Sequence, residues 1–235
     1  MKMRVKRKGE YGLKGDYHKK LDKNWKYYPI YVAKMKFIEK YFNQIPKNSE
    51  ILDVGAGEGI LVEKFRREGY DIIGLDLNYG SKYIIVGNLN YLPFKSHTFD
   101  YIFCLDVLEH LNFEEQKKAL KEINRVLKKR GKLILSIPNL AHLASRISFL
   151  LTGKLIRTSS IERHKGDRPI CEYIELLKEL NFKIIRRKGI FPTFPISSIL
   201  TYFFPSKVIA LHKFLNYFFS YPNICFLNII ICEKP

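Results

Sequence analysis

The residues best suited to chemistry form a glycine-rich loop, in which Gly55, Gly57 and Gly59 follow an apolar run that ends at Val54. Glycines permit a tight turn and let a ligand approach the backbone closely. The residues after the loop predict a helix, whose first amide groups would face that ligand. Asp76 ends the next apolar run, and a carboxylate there can accept hydrogen bonds from both hydroxyl groups of a ribose. The pattern therefore predicts a site for a nucleoside-like ligand.

The spacing of the glycines also bears on which ligand binds. The dinucleotide fingerprint is G-x-G-x-x-G, whose third glycine packs the helix beside a pyrophosphate. Here the loop reads G-x-G-x-G and is preceded by Asp53. A negative charge so close opposes a pyrophosphate and suits a ligand that carries an ammonium and a sulfonium group. A dinucleotide site and a glycine-rich turn without any ligand are the alternatives.

Alternating strands and helices must position this loop. Apolar runs predict strands over residues 50–54, 71–77, 83–86, 99–105 and 132–137, and further strands over residues 183–187 and 226–232. Helical spacing and capping residues predict helices over residues 29–44, 60–68 and 112–131, and another that begins at Pro169. Such alternation implies an α/β fold with a Rossmann-like, doubly wound sheet of seven strands, covered by helices on both faces. Ligands of such sheets lie beyond the carboxyl ends of the strands.

Four segments, taken in this order and spacing, are typical of one enzyme family. They are residues 52–59 (LDVGAGEG), 73–77 (IGLDL), 87–94 (GNLNYLPF) with 99–102 (FDYI), and 105–111 (LDVLEHL) with 126–135 (VLKKRGKLIL). On these motifs the chain resembles the class I S-adenosylmethionine (SAM)-dependent methyltransferases, and within them the branch that includes the enzymes of ubiquinone and menaquinone biosynthesis. The resemblance implies S-adenosyl-L-methionine as the cofactor. It also implies a mostly parallel sheet whose last strand, residues 226–232, is antiparallel.

The resemblance further assigns residues to the parts of the cofactor. Asp76 and Leu77 would hold the ribose and flank the adenine, which Asn88 and Leu89 would border. The family usually carries Asp where this chain has Asn88, whose amide can still accept a hydrogen bond from the adenine amino group and can also donate one. The full set expected to bind the cofactor is Asp53, Gly55, Ala56, Gly57, Gly59, Asp76, Leu77, Asn88, Leu89, Cys104, Leu105 and Asp106.

Methyl transfer from a sulfonium leaves the protein mainly the task of alignment, because the cofactor carries the reactive group. His110 is the candidate general base, since it follows the fourth strand on the cofactor side; alternatively it only supports the loop into the next helix. His142 and His164 are expected to contact substrate, because they lie in the segment that the family uses for it. Tyr17 is also expected to bind substrate, and Tyr17 and Trp25 are expected either to close over the cofactor or to pack on the first helix.

Composition and charge indicate a compartment and a class of partner. The four cysteines form no CxxC pair and no cluster with histidine, so we expect free thiols in a reducing cytoplasm and no metal site. No apolar run follows the basic first residues, so no signal peptide is expected. The formal net charge is +18, and residues 1–26 hold ten Lys or Arg against three acids. Such a surface attracts the phosphate of RNA or of an anionic membrane; the alternative is a solvated N-terminus without a partner.

The C-terminal third has a different character. Residues 189–206 and 214–232 contain no charged residue and are dense in aromatics. Prolines and asparagines interrupt both stretches, so we expect no membrane span. An amphipathic cap over the active site is expected instead, with His212, Lys213 and Asn216 on one side of a helix over residues 208–219. Such a cap can touch a membrane or bind an apolar acceptor; alternatively its aromatics are core.

These observations define the expected organisation and function. Residues 1–28 form a basic, partly flexible segment, and residues 29–235 form a single methyltransferase domain with the cap inserted around residues 190–222. The expected activity is SAM-dependent methyl transfer to a small-molecule or lipid-like acceptor, in the cytoplasm or peripherally at the membrane. An RNA-directed methyltransferase and a non-catalytic SAM-binding module are the alternatives. The chain lacks the Pro-Pro motif of enzymes that methylate amino groups of DNA bases and the Pro-Cys pair of 5-methylcytosine enzymes.

Overall fold

The structure, a computed structural model, describes residues 21–235. Seven strands and seven helices alternate along this part of the chain. The helices are α1 (Tyr28–Phe42), α2 (Ile60–Arg67), α3 (Phe113–Val126), α4 (Leu143–Thr152), α5 (Ile170–Glu179), α6 (Pro195–Phe203) and α7 (Ile209–Phe218). The strands are β1 (Glu50–Val54), β2 (Asp71–Asp76), β3 (Ile84–Val86), β4 (Phe99–Leu105), β5 (Leu127–Pro138), β6 (Lys183–Pro192) and β7 (Cys225–Glu233).

All seven strands form one sheet in the order β3-β2-β1-β4-β5-β7-β6. Strands β1 to β5 pair in parallel, whereas β7 is antiparallel to both of its neighbours, β5 and β6. The predicted α/β, doubly wound, mostly parallel sheet with an antiparallel last strand is therefore confirmed. The strand order reverses between β1 and β4, and such a switch point opens a crevice at the carboxyl ends of the strands. The glycine-rich loop follows β1 at this point.

Two apolar cores cover the two faces of the sheet. One packs α3 and α5 against the inward side chains of the central strands, with Leu120 and Tyr173 fully buried. The other packs α1 and α2 on the opposite face, where the Phe42 ring stacks on Phe65 and Phe103 with centroids 3.5 and 4.4 Å away. Because successive strand residues point to opposite faces, Ile102 and Phe103 of β4 serve the two different cores.

Most element bounds agree with the predictions, and two regions differ. The helix predicted to reach Gly131 ends at Val126, because β5 begins at Leu127, where that residue pairs with Phe99 of β4. Its predicted beginning is confirmed, since the Asn112 side chain accepts from the Glu115 amide and Glu115 bonds back to the Asn112 amide. The segment between β5 and Pro169, for which no helix or strand is predicted, contains helix α4.

Helices α6 and α7 occupy the region predicted as a cap, between β6 and β7. The expectation that His212, Lys213 and Asn216 form one exposed polar side is wrong. His212 is buried and bonds to Thr201, and the Asn216 side chain accepts from the Phe191 amide at 2.6 Å, so only Lys213 is exposed. Within residues 21–235, no helix combines the length and the hydropathy needed to cross a membrane.

Candidate active site

The glycine-rich loop makes a close turn over the end of β2. The amides of Gly55 and Ala56 both donate to the Leu75 carbonyl oxygen, at 2.7 and 3.1 Å. Gly55, Gly57 and Gly59 have φ angles of 74°, 55° and 77°, which residues other than glycine rarely adopt. A Cβ atom on Gly55 would lie 2.2 Å from Cγ2 of Val107. Glycine is therefore required in this loop by its backbone angles and, at Gly55, also by the contact with Val107.

Asp76 joins this loop to the turn after β2. Its Oδ2 atom accepts from the Gly57 amide at 2.9 Å, and its Oδ1 atom accepts from the amides of Asn78 and Tyr79 at 2.8 and 3.1 Å. A carboxylate offers about four acceptor sites, so three amides leave roughly one of them for a ligand. Asp76 thus organises two loops as well as presenting a carboxylate at the predicted ribose position.

An open pocket lies beside the loop, in the concave type of position where small-molecule sites occur. Its lining residues are Tyr31, Lys34, Met35, Asp53, Gly55, Ala56, Ile60, Leu61 and Leu105. Burial, and to a smaller extent the charge of Asp76, raises the pKa of Asp53 to about 8, while Lys34 acts in the opposite direction. A cationic ligand group would stabilise the ionised form of Asp53, so the pocket suits the ammonium and sulfonium of SAM.

Lys34 of α1 is a pocket residue that the sequence reasoning missed. It is only 4% exposed and forms an ion pair with Asp106. Asp106 follows β4 with a φ angle of 55°, its carboxylate also accepts from the Ser136 hydroxyl, and its amide donates to the Ser136 carbonyl oxygen at 3.0 Å. A signal was present in the sequence, because Lys34 stands four residues from both Ile30 and Ile38 and so lies on the buried face of its helix.

The other residues expected near the methionine end lie in different environments. Leu105 lines the pocket, whereas Cys104 is fully buried inside β4, where burial raises the pKa of its thiol well above the usual value. On the adenine side, Leu77 is 64% exposed and Leu89 is buried. Asn88 is exposed, and its Oδ1 atom already accepts from the Asn90 amide at 2.9 Å. The structure thus places Leu105 at the pocket, and the cofactor contacts of the others stay predictions.

His110 and His164 meet edge to face, with ring centroids 4.7 Å apart. Nδ1 of His110 lies 3.2 Å from the Arg163 carbonyl oxygen, which can only accept, so Nδ1 carries the proton and Nε2 is the basic atom. Burial, followed by the neighbouring His164, lowers the pKa of His110. His164 is held by Thr158 and Asp167, at 2.7 and 3.2 Å from its Nδ1 atom. The sequence-predicted base and one predicted substrate residue therefore form one cluster.

Glu109 belongs to the same cluster, and it was not among the residues predicted to form the site. It is 2% exposed, and burial raises the pKa of its carboxyl well above the usual value. Ligand atoms of Glu109, His110 and His164 all lie within 4.8 Å of one another. This donor set has the chemistry to bind a divalent ion, and the expected absence of a metal stays a prediction.

His142 has a structural contact that the sequence did not indicate. It precedes α4, and its Nδ1 atom accepts from the Ser145 amide at 3.3 Å and lies 2.9 Å from the Thr193 hydroxyl. It is buried, and desolvation lowers its pKa to about 4. His142 therefore caps a helix, and its expected substrate contact stays a prediction. Tyr17 lies outside the described residues, and Trp25 makes edge contacts with the Tyr27 and Tyr31 rings at 5.5 and 6.5 Å.

Comparisons with known proteins address the family. A family model described as a methyltransferase domain matches residues 52–135. An uncharacterized protein of Methanocaldococcus jannaschii is 34% identical over a stretch that covers 63% of this chain and 71% of that protein. Two other uncharacterized proteins of the same organism are 36% and 31% identical, and the chain spans only 45% and 63% of their lengths. The mitochondrial ubiquinone biosynthesis O-methyltransferase of Schizosaccharomyces pombe is 28% identical over 60% of this chain and 57% of its own length.

The fold has known counterparts as well. The crystal structure of a SAM-dependent methyltransferase from Methanosarcina mazei covers 83% of this chain and 96% of its own, with a TM-score of 0.56 and 19% identity. At that identity the likeness concerns the fold, which agrees with the sheet order and the glycine-rich loop described above. The sequence matches extend the agreement from the fold to the motifs of the loop, Asp76 and β4. Residues 52–135 therefore form a methyltransferase domain, in a chain that has the fold of the SAM-dependent methyltransferases.

Proposed function

We propose that this protein binds SAM in the pocket beside the glycine-rich loop and transfers its methyl group to a small-molecule or lipid-like acceptor. The observation that carries this proposal is the pocket at the switch point of the sheet, whose wall includes Gly55, Ala56 and the buried Asp53. The same loop continues to Gly57, whose amide donates to the Asp76 carboxylate. When bound, SAM supplies an activated methyl group. The chain's own residues then have three tasks, which are to bind the cofactor, orient the acceptor and receive a proton.

Acidic, basic and apolar residues each bind a different part of the cofactor. Asp76 presents its remaining acceptor capacity to a ribose hydroxyl, and Asp53 faces the cationic end of the ligand. Lys34, held by Asp106, reaches the pocket wall from α1. The glycines let the ligand approach the backbone. Leu105, and by the family resemblance Leu77 and Leu89, supply apolar contact to the uncharged parts.

His110 is the group proposed to receive the acceptor's proton. Its Nε2 atom is the basic nitrogen, and the lowered pKa keeps the ring neutral at pH 7, ready to accept. We expect His110→Asn to lower kcat by about 100-fold or more, with unchanged affinity for SAM. If His110→Asn lowers the thermal stability together with kcat, the ring instead only supports its loop. The matched control is His97→Asn, since His97 is an exposed histidine on the protein surface.

The decisive experiment on the activity has two steps. Calorimetry with SAM and S-adenosylhomocysteine establishes binding, and isotopically labelled SAM is then incubated with the protein and a fractionated cell extract. Label in the lipid or small-molecule fraction supports the proposal. Binding without transfer to any fraction would favour the non-catalytic module, and absence of binding would overturn the proposal entirely.

A lipid-like acceptor is the finer part of the proposal. It is supported by the S. pombe relative, whose name assigns it to ubiquinone biosynthesis, and by the apolar C-terminal helices, of which α7 contacts α1 and β6. RNA is the second candidate acceptor, because the net charge of +18 attracts phosphate. That alternative predicts RNA binding that weakens steeply with salt, together with label in the RNA fraction.

A further inference from the structure

Three helices of this protein have their polar residues inside and their apolar residues outside. In α6, the buried positions are Ser197 and Thr201, whereas Ile196, Ile199 and Phe203 are 76%, 59% and 65% exposed. The buried pair is spaced by four residues and the exposed set by three and four, so each set forms one face of the helix. This is the reverse of the pattern that a helix adopts when it packs on a core and faces water.

Helices α7 and α4 repeat this reversal. In α7, His212 and Leu215 are the buried residues, while Phe214, Tyr217 and Phe218 are 57%, 81% and 54% exposed. In α4, the buried residue is Ser145, whereas the last turn exposes Phe149, Leu150 and Leu151 by 56%, 84% and 76%. Scattered exposed apolar residues are normal on protein surfaces, but a clustered set on successive helices marks an interaction site.

Direct contacts join the three helices. The Thr201 hydroxyl lies 2.8 Å from Nε2 of His212, which links α6 to α7. The Ala144 amide of α4 donates to the Thr193 hydroxyl, two residues before α6, at 2.9 Å. The Phe194 ring, next to α6, meets the Phe219 ring, next to α7, edge to face, with centroids 5.4 Å apart. We call the outer faces of α4, α6 and α7 the apolar cap surface, represented by Leu150, Ile199, Phe203, Phe214, Tyr217 and Phe218.

The position of this surface relates it to the active site. Helix α4 follows the end of β5 and α6 follows the end of β6, while the glycine-rich loop follows the end of β1. All three strands are parallel, since β6 and β5 are both antiparallel to β7. The apolar cap surface therefore emerges from the same edge of the sheet as the pocket. Helix α7 also contacts α1, the helix that carries Lys34.

Charge distinguishes between the partners that such a surface can have. The sequence contains no Asp or Glu over residues 123–161 or over residues 180–232, which include all three helices. Basic residues border the apolar faces, and Lys154, Lys207 and Lys213 are exposed. A second copy of the chain would bring these positive borders together at unfavourable energy. An anionic lipid surface would be attracted by the same lysines while the apolar side chains enter its interface.

We propose that the apolar cap surface docks this protein on an anionic lipid bilayer. Helices α4, α6 and α7 lie in the membrane interface, their aliphatic and aromatic side chains enter the acyl region, and the lysines contact the headgroups. Docking itself is independent of methyl transfer. Its consequence, that the pocket edge faces the bilayer and receives its acceptor from there, rests on the proposed function.

The test is sedimentation of the full chain with vesicles. We expect binding to vesicles of equimolar phosphatidylglycerol and phosphatidylcholine, and weaker binding to phosphatidylcholine alone. The variants Ile199→Ser with Phe203→Ser, and Phe214→Ser with Tyr217→Ser, should each weaken binding by about tenfold or more, since each removes two inserted apolar side chains. The control Ile185→Ser removes an exposed apolar side chain of β6 and should leave binding unchanged. Lys207→Glu with Lys213→Glu should remove the preference for the anionic vesicles.

Other outcomes would overturn the docking proposal. Absence of vesicle binding would do so directly. So would a concentration-dependent dimer, detected by light scattering without lipid, that the same serine substitutions abolish, because the surface would then bind a second copy. RNA binding that the lysine substitutions abolish, without vesicle binding, would assign the basic border to nucleic acid. Calorimetry with SAM separates the two proposals. Absence of SAM binding by the wild type would overturn the proposed function and leave docking intact. Unchanged SAM binding by a variant that no longer binds vesicles would show that only docking is lost.

Discussion

The pocket edge and the cap treat polar and apolar residues in opposite ways. In the strands that end at the pocket, aliphatic residues such as Leu52 and Ile102 are fully buried in the core, and the charged Lys34 and Asp53 lie in the pocket wall. In the cap, Thr201 and His212 are buried against each other, while Ile199 and Tyr217 are exposed. The first arrangement minimises the apolar area in contact with water. The second does so only if something other than water covers the outside.

The contrast also concerns how each region is stabilised. The pocket edge depends on close backbone contacts and on a carboxylate that joins two loops. The cap depends on a few buried side-chain hydrogen bonds, because its apolar side chains contribute little to its own interior. Substitutions should therefore have large effects at the pocket edge and small ones on the outer face of the cap, and the following experiments test that order.

The largest effect is expected for Gly55→Ala. The new Cβ would lie 2.2 Å from Val107, at a φ angle of 74° that alanine disfavours, so unfolding free energy should fall by more than about 3 kcal/mol. The matched control is Gly69→Ala, where φ is 87° but no atom lies within 4 Å of the added Cβ. Its cost should be only about 1 kcal/mol. Equal losses in urea unfolding for the two variants would show that contact with Val107 is unimportant.

The next effect is expected for Asp76→Ala, which should weaken SAM binding by about 100-fold. The substitution removes an acceptor from three backbone amides and the carboxylate proposed to meet the ribose. Asp71→Ala is the control, because Asp71 begins the same strand at the other end, is exposed and only pairs with Arg66 at 3.4 Å. Calorimetry should find wild-type affinity for the control. Undiminished binding by Asp76→Ala would exclude the proposed ribose site.

Affinity for SAM should depend on pH through Asp53. Its pKa of about 8 means that the free carboxyl is mostly protonated at pH 7, whereas a cationic ligand prefers it ionised. Affinity should therefore rise by up to about tenfold per pH unit below pH 8 and level off above it. Asp53→Asn should flatten this profile and also stabilise the free protein at pH 8, where an ionised buried carboxylate is unfavourable. A profile that stays steep in the variant would assign the titration to another group.

The cap should lose stability in acid through His212, whose pKa burial lowers to about 4. Between pH 6.5 and 4 the unfolded chain takes up a proton that the folded chain does not, so stability present above pH 6.5 falls as pH decreases, by about 1.4 kcal/mol per unit. His212→Gln should reduce this slope, whereas the exposed control His97→Gln should not. Unfolding free energies measured across that pH range provide the check.

The smallest effect is expected for Ile199→Ser, which should change the unfolding free energy by less than about 0.5 kcal/mol. The side chain is 59% exposed and covers no core. Its counterpart in the core beneath the pocket-bearing strands is Ile102→Ser, where a fully buried side chain of β4 is replaced and the cost should exceed about 3 kcal/mol. A large loss for Ile199→Ser would mean that the outer face of α6 is packed, and the comparison between the two regions would fail.

Local patterns were sufficient for the sheet and for the glycine-rich loop. Strands β1 and β4 were predicted to the residue, because short apolar runs bounded by turn residues leave one interpretation. The capping box at Asn112 was also predicted correctly, since both of its partners lie within four residues. The end of α3 was predicted wrongly, because the pairing of Leu127 with Phe99 in a distant strand overrides local helical preference.

The sequence by itself determined the methyltransferase motifs, the mostly parallel, doubly wound sheet and the edge of the sheet at which Asp53, Gly55 and Asp76 lie, since these follow from motifs and from the handedness of crossovers. Only the tertiary structure decided that Lys34 reaches the pocket, that His110 meets His164, and that His212 points inward. Each depends on contacts between residues far apart in the chain, where a side chain's surroundings come from several elements at once. The same reason explains the cap, whose amphipathic pattern is visible in the sequence but whose buried side is set by what it packs against.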